Sequence, residues 1–165
     1  MSKSVLNIAN VQYRHWGNGK KFEAKIGNIG DVLNSRKLGC SVIVLPPGKS
    51  AFPFHSHRMN EEMFLVLEGL GTVRIGNKTY RIKKGDIVAA PSGNRSTAHK
   101  IVNTSKRGLK YLAVTTKISP DIVEYPDSKK IAVLAKFPRK QGKPEWFYII
   151  TKNKSASPDE YWAGE

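Results

Sequence analysis

The residues of this chain whose types and spacing can do chemistry are its histidines. Of His15, His55, His57 and His99, two stand one residue apart in Phe54-His55-Ser56-His57. On extended backbone alternate side chains leave the same face, so both imidazoles of that pair lie close enough to hold one ion. Two strand histidines satisfied by backbone or water would have the same spacing. A carboxylate follows at Glu61 or Glu62. Glu62 is in phase with Phe64 and Val66, and Glu61 with Met63 and Leu65; both faces are apolar, and periodicity alone does not choose. His99 alternates with Ile101 and Asn103 on a segment of its own. Neutral imidazoles and one carboxylate suit a divalent transition ion: Fe, Mn, Ni, Co, Cu or Zn. Four protein ligands leave an octahedral ion two positions for water or substrate, which metal catalysis requires. His15, between Arg14 and Trp16, fits no pattern and reads as a surface histidine.

Short strands must position these groups. Residues 21–116 read as strands punctuated by turns, an all-β sandwich or barrel, with little helical periodicity. Phe22, Ala24 and Ile26 alternate with Glu23, Lys25 and Gly27. Residues 38–45 are apolar and β-branched, and Pro46-Pro47-Gly48 ends them because two successive residues lack an N–H. Residues 62–68, apolar on both faces, read as a stave of the barrel core. Residues 72–75 and 79–82 flank Gly76-Asn77-Lys78, a hairpin turn in which Gly76 and Asn77 can take positive φ. Residues 87–90, 98–102 and 109–115 bring the strands to at least eight. Farther on, Pro120-Asp121 and Tyr125-Pro126-Asp127-Ser128 read as turns, 131–135 as a short strand, 139–144 as exposed and basic, and 146–150 as a strand or docking segment.

A chain of 165 residues is the size of one domain. The expected division is a barrel core at about 38–116, an N-terminal extension at 1–37 and a C-terminal extension at 117–165. With 39% hydrophobic and 25% charged residues, 14 Gly and 9 Pro, the composition excludes a collagen repeat, a disordered polar tract and a coiled coil. The longest apolar runs, 42–47 and 63–67, fall far short of the ~18 residues that cross a bilayer. Asn7 and Asn10 interrupt any signal-peptide stretch, and the single Cys40, read as a small core residue, forms no internal disulfide. The expectation is a cytoplasmic protein without a membrane partner. A net charge of +15, from 28 Lys plus Arg against 13 Asp plus Glu, could attract nucleic acid or another anion. The basic residues are scattered singly or in pairs such as Lys83-Lys84, with no nucleic-acid motif. A solvated, Lys-rich surface is therefore expected and nucleic acid is not.

The segment from Gly48 through His55, His57 and Glu62 to Gly69 resembles the first motif of the cupin superfamily, in which HxH is followed three or four residues later by Glu and six residues after that by Gly. The count to Gly69 selects Glu62. Gly85, Pro91, Gly93, His99 and Asn103 resemble the second motif, with five residues rather than two between Gly93 and His99. The resemblance covers about 38–116. PPGKSAFPFHSH, NEEMFLVLEG and the terminal YWAGE are similar to segments of a group of single-domain bacterial cupins, often labelled sugar-phosphate isomerases by fold-level analogy.

The resemblance implies a jelly-roll β-barrel (double-stranded β-helix) with short terminal extensions, a metal on His55, His57, Glu62 and His99, and a homodimer whose terminal strands cross, with 146–150 as a candidate contact. Arg58 and Arg95, near the ligands in sequence, are candidates for gripping a carboxylate or phosphate. Phe64 and Tyr111 are candidates for lining the substrate pocket. The expected activity is metal-dependent chemistry on a small, oxygen-rich and anionic metabolite, as in sugar-phosphate isomerases, dioxygenases or decarboxylases. The alternative is a non-catalytic binding or sensory module.

Overall fold

Alternating and β-branched segments dominate the chain, and the described residues form thirteen strands and no α-helix. The computed structural model describes residues 4–137 and 145–151. A six-stranded antiparallel sheet runs in the order β1 (Tyr13–Gly17), β2 (Glu23–Asn28), β3 (Leu38–Leu45), β10 (Leu109–Thr116), β5 (Glu62–Glu68), β8 (Ile87–Ala90). β10 is its central stave, pairing with β3 from Leu109↔Leu45 to Thr116↔Leu38 and with β5 on its other edge. The opposing layer has two parts: β7 (Lys78–Lys83), β6 (Leu70–Ile75) and β9 (His99–Val102); and β13 (Glu145–Thr151), β12 (Lys130–Phe137), β11 (Asp121–Tyr125) and β4 (Ser56–His57). An isolated bridge between His55 and His99 joins these parts. Side chains of Ile43, Leu45, Val66 and Leu109 from one layer and Val73 and Ile101 from the other fill the interior. This is the expected all-β jelly roll.

Several details differ from expectation. β5 is not buried on both faces: Phe64 and Val66 point inward, but Met63 is 54% exposed, since no described strand covers the outer side of the six-stranded sheet there. Cys40 is half-buried rather than sealed in the core. In the two-residue turn between β6 and β7 only Gly76 takes positive φ, at 54°. Pro120-Asp121 is not a plain turn, because Asp121 opens β11, a strand that pairs with β4. The backbone of 146–150 lies in β13 and pairs within its own chain against β12. Residues 139–144 and the terminal YWAGE lie outside the described residues. No helix is long and apolar enough to cross a membrane.

Candidate metal centre

His55 is set opposite His99 by a pair of backbone hydrogen bonds: His99 N–H donates to His55 O at 2.8 Å, and His55 N–H to His99 O at 3.2 Å. Phe54 and Ser56, which alternate with the two histidines, are 2% and 1% exposed. The Arg74 guanidinium packs 3.6 Å from the Phe54 ring centroid and donates to both carboxylate oxygens of Asp127, at 3.1 and 2.9 Å. Burial on one face of this segment thus fixes where the imidazoles point on the other. Gly69 closes the motif with φ at +83°, where a Cβ would collide with the Gly108 carbonyl oxygen. On β5, Glu62 lies inward with Phe64 and Val66 while Glu61 is exposed, which resolves the choice that periodicity leaves open.

One oxygen faces all three imidazoles. Glu62 Oε2 lies 3.7 Å from His55 Nε2, 3.6 Å from His57 Nε2 and 2.9 Å from His99 Nε2. Atoms that share an ion at about 2.1 Å stand about 3.0–3.5 Å apart, so these separations are close to those of a ligand set. His55, Glu62 and His99 form a group whose ligand atoms all lie within 4.8 Å of one another; His57 is outside that group but has its Nε2 3.6 Å from Glu62 Oε2.

The protonation chemistry fits a metal as well. The carbonyl oxygen of Pro53 can only accept, so its 2.8 Å contact with His55 Nδ1 puts the proton there and leaves Nε2 with a free lone pair. Asp121 Oδ2, 2.6 Å from His57 Nδ1, does the same for His57. His99 differs: its buried Nδ1 has no partner among the described residues, and its ring is held by Glu62 and by Phe64, 5.3 Å away between centroids. Burial, with His99 alongside, depresses the His55 imidazole to about 4, against the pull of Glu62. His57 is buried too, but the Asp121 hydrogen bond and the Glu62 carboxylate outweigh that and hold its pKa above 6.5. Burial would raise Glu62, yet the His99 hydrogen bond and the neighbouring imidazoles hold it below the usual carboxylate value.

Asp121 is the functional residue that the strand pattern misses. It accepts from His57, from Asn60 Nδ2 at 2.8 Å and from the Met59 N–H at 3.0 Å, and despite burial these bonds hold its pKa at about 2. Asn60 also accepts from Ile118 N–H and Thr116 Oγ1, tying the end of β10 to the ligand loop.

A cavity of about 30 Å³ adjoins the ligands, and both Phe64 and Tyr111 line it with His55, Glu62 and His99. Arg58 and Arg95 are not among its lining residues. Arg58 Nε donates to Glu124 at 2.9 Å, and its terminal nitrogen pairs with the same oxygen. Arg95 lies in a separate surface depression beside Tyr80 and Lys78. His15 is on β1, exposed, 3.8 Å from Glu23.

Residues 41–115 match the cupin domain family. That segment is a cupin domain, built on the jelly roll described above. An uncharacterised protein of Methanocaldococcus jannaschii is 35% identical over 82 residues, which is 50% of this chain and 62% of that protein. The oxalate-binding protein of Thermotoga maritima is 37% identical over 70 residues, 42% of this chain and 54% of that one. Each match thus spans less than two thirds of the curated relative. Among solved structures, a protein of Acidithiobacillus ferrooxidans assigned provisionally as a sugar phosphate isomerase aligns with a TM-score of 0.75 and 27% identity, over 89% of this chain and 92% of that chain. A predicted oxalate decarboxylase of Thermotoga maritima aligns with a TM-score of 0.60 and 26% identity, over 69% of this chain and 99% of that chain.

Proposed function

We propose that this cupin holds one divalent transition ion on His55, His57, Glu62 and His99 and binds a small, oxygen-rich, anionic metabolite at the positions the protein leaves open. The observation that carries this reading is the convergence of three imidazole Nε2 atoms on Glu62 Oε2, with the outer nitrogens of His55 and His57 committed to acceptors. The ion would supply Lewis acidity to a carbonyl or enediolate, or a site for dioxygen. Similarity to proteins assigned as a sugar phosphate isomerase and an oxalate decarboxylase supports either chemistry.

The second reading, a binding or sensory module, is favoured by one observation. Outside the ligands, the ionisable residues lining the cavity are Lys100 and Tyr111. The Lys100 ammonium lies 5.2 Å from the Phe22 ring centroid, and burial, with Glu62 nearby, pushes the Tyr111 phenol up, so it stays protonated. Neither is placed as a general base. Recovery of a bound ligand chemically unaltered after long incubation with metal-replete protein, under air and under nitrogen, would select this module.

Elemental analysis of the untagged protein tests the metal itself. We expect near one equivalent of a transition metal, lost in the His55→Ala, His57→Ala double variant. Protein that carries no metal, and takes up none when Fe, Mn, Ni or Zn is added, overturns the proposal. The family resemblance also supports a homodimer, which sedimentation at monomer mass would overturn.

A further inference from the structure

We propose that the Tyr111 hydroxyl is the hydrogen-bond donor that orients the ligand on the ion, and that together with the cavity's size it selects a compact oxyanion such as a small carboxylate over a sugar phosphate. This deepens the reading above and rests on it. Tyr111 is 2% exposed, sits on β10 between Ile43 and Val66, and meets the Phe64 ring edge-on at 5.9 Å. It lines the same cavity as His55, Glu62 and His99, and its hydroxyl has no hydrogen-bond partner among the described residues. Among the described residues the buried side-chain polar atoms left without a partner are Ser56 Oγ and His99 Nδ1 and not this hydroxyl, which therefore opens onto the cavity, where an oxygen arriving with the ligand can accept from it. A phenol offers one O–H donor, which an oxyanion, having only acceptor oxygens, can receive.

The rest of the cavity argues for a compact ligand. Its walls beyond the ligand set are largely apolar, from Ile43, Phe52, Pro53, Phe64, Ile101 and Ala113. The space beside the proposed ligand set is small, about 30 Å³, which favours a ligand of few atoms over a sugar phosphate. No arginine is among the described lining residues. Arg58 is bound to Glu124, Arg95 lies in another depression, and the Lys100 ammonium lies against Phe22.

The test uses full-length Mn(II)-loaded protein, wild type and Tyr111→Phe, with metal content measured by elemental analysis and binding of oxalate and of glucose 6-phosphate measured by calorimetry. The expected result is unchanged metal content, oxalate affinity roughly tenfold lower in the variant, sugar phosphate bound more weakly than oxalate by wild type, and an apo melting temperature no lower than wild type. Equal oxalate affinity in both proteins overturns the role of Tyr111, as does loss of metal from the variant, which would make its role structural. Wild type that binds the sugar phosphate as tightly as oxalate, or binds neither, overturns the selection. Failure of wild type to take up metal would instead remove the underlying reading. Should Tyr111→Phe misfold, oxalate added to Zn-loaded protein labelled with fluorotyrosine must shift the Tyr111 fluorine resonance; an unmoved resonance overturns the proposal.

Discussion

Asp121 and the Pro53 carbonyl act on His57 and His55 in the same way: each accepts a hydrogen bond from the Nδ1–H and leaves Nε2 facing Glu62. They differ in charge, and that difference is open to experiment. Replacing Asp121 by Asn keeps an acceptor of nearly the same shape but removes the negative charge that raises the basicity of His57. Losing such a partner typically costs about 10–100-fold in metal affinity. We expect Asp121→Asn to weaken metal binding by that factor in a chelator competition, with the fold intact by circular dichroism. Equal affinity would show that hydrogen-bond geometry suffices without the charge. Nothing in the local sequence marks this residue, because it lies 64 positions beyond His57 in a Pro-Asp pair that carries the signature of a turn.

Elements place these residues by backbone pairing, and the parts that alternation can express were legible. Alternation gives β2 and β9, an apolar β-branched run gives β3, flanking turns and loops bound β8 and β10, and motif spacing picks Glu62 where alternation alone is silent. Strand β11, which pairs with β12 on one edge, was not legible, since a Pro-Asp pair opens it like a turn and its other partner, β4, is two residues long and distant in sequence. The His55–His99 bridge is equally invisible, though it brings two ligands side by side. Asn103 shows how a loop can be specified by one side chain. It is fully buried, donates to Leu45 O at 2.9 Å and Arg107 O at 2.7 Å, and accepts from Ser105 N–H at 3.0 Å. It thereby closes the turn between β9 and β10. Asn103→Ala removes a buried hydrogen bond to Leu45 O and two half-buried ones, to Arg107 O and from Ser105 N–H, and we expect a loss of about 1–3 kcal/mol in urea unfolding. A loss within experimental error would mean that water replaces the side chain.

At the scale of the whole molecule, the proposed ligands come from both layers of the jelly roll: Glu62 from the six-stranded sheet, and His55, His57 and His99 from the strands opposite. An ion on them cross-links the two layers, so metal binding and global stability are coupled. At a free metal concentration 100 times the dissociation constant, the stabilisation is about 2.7 kcal/mol, or about 5–10 °C in melting temperature for a chain of this size. We expect a shift of that order on loading metal, reversed by a chelator and absent in the His55→Ala, His57→Ala variant. The sign of its pH dependence follows from His57. Because Asp121 and Glu62 raise its pKa above 6.5, protons compete with metal from a higher pH than for a free imidazole. The metal-dependent shift therefore shrinks as pH falls, beginning above 6.5, and Asp121→Asn moves that onset downward. A shift independent of pH from 8 to 5 would mean that His57 is not among the ligands.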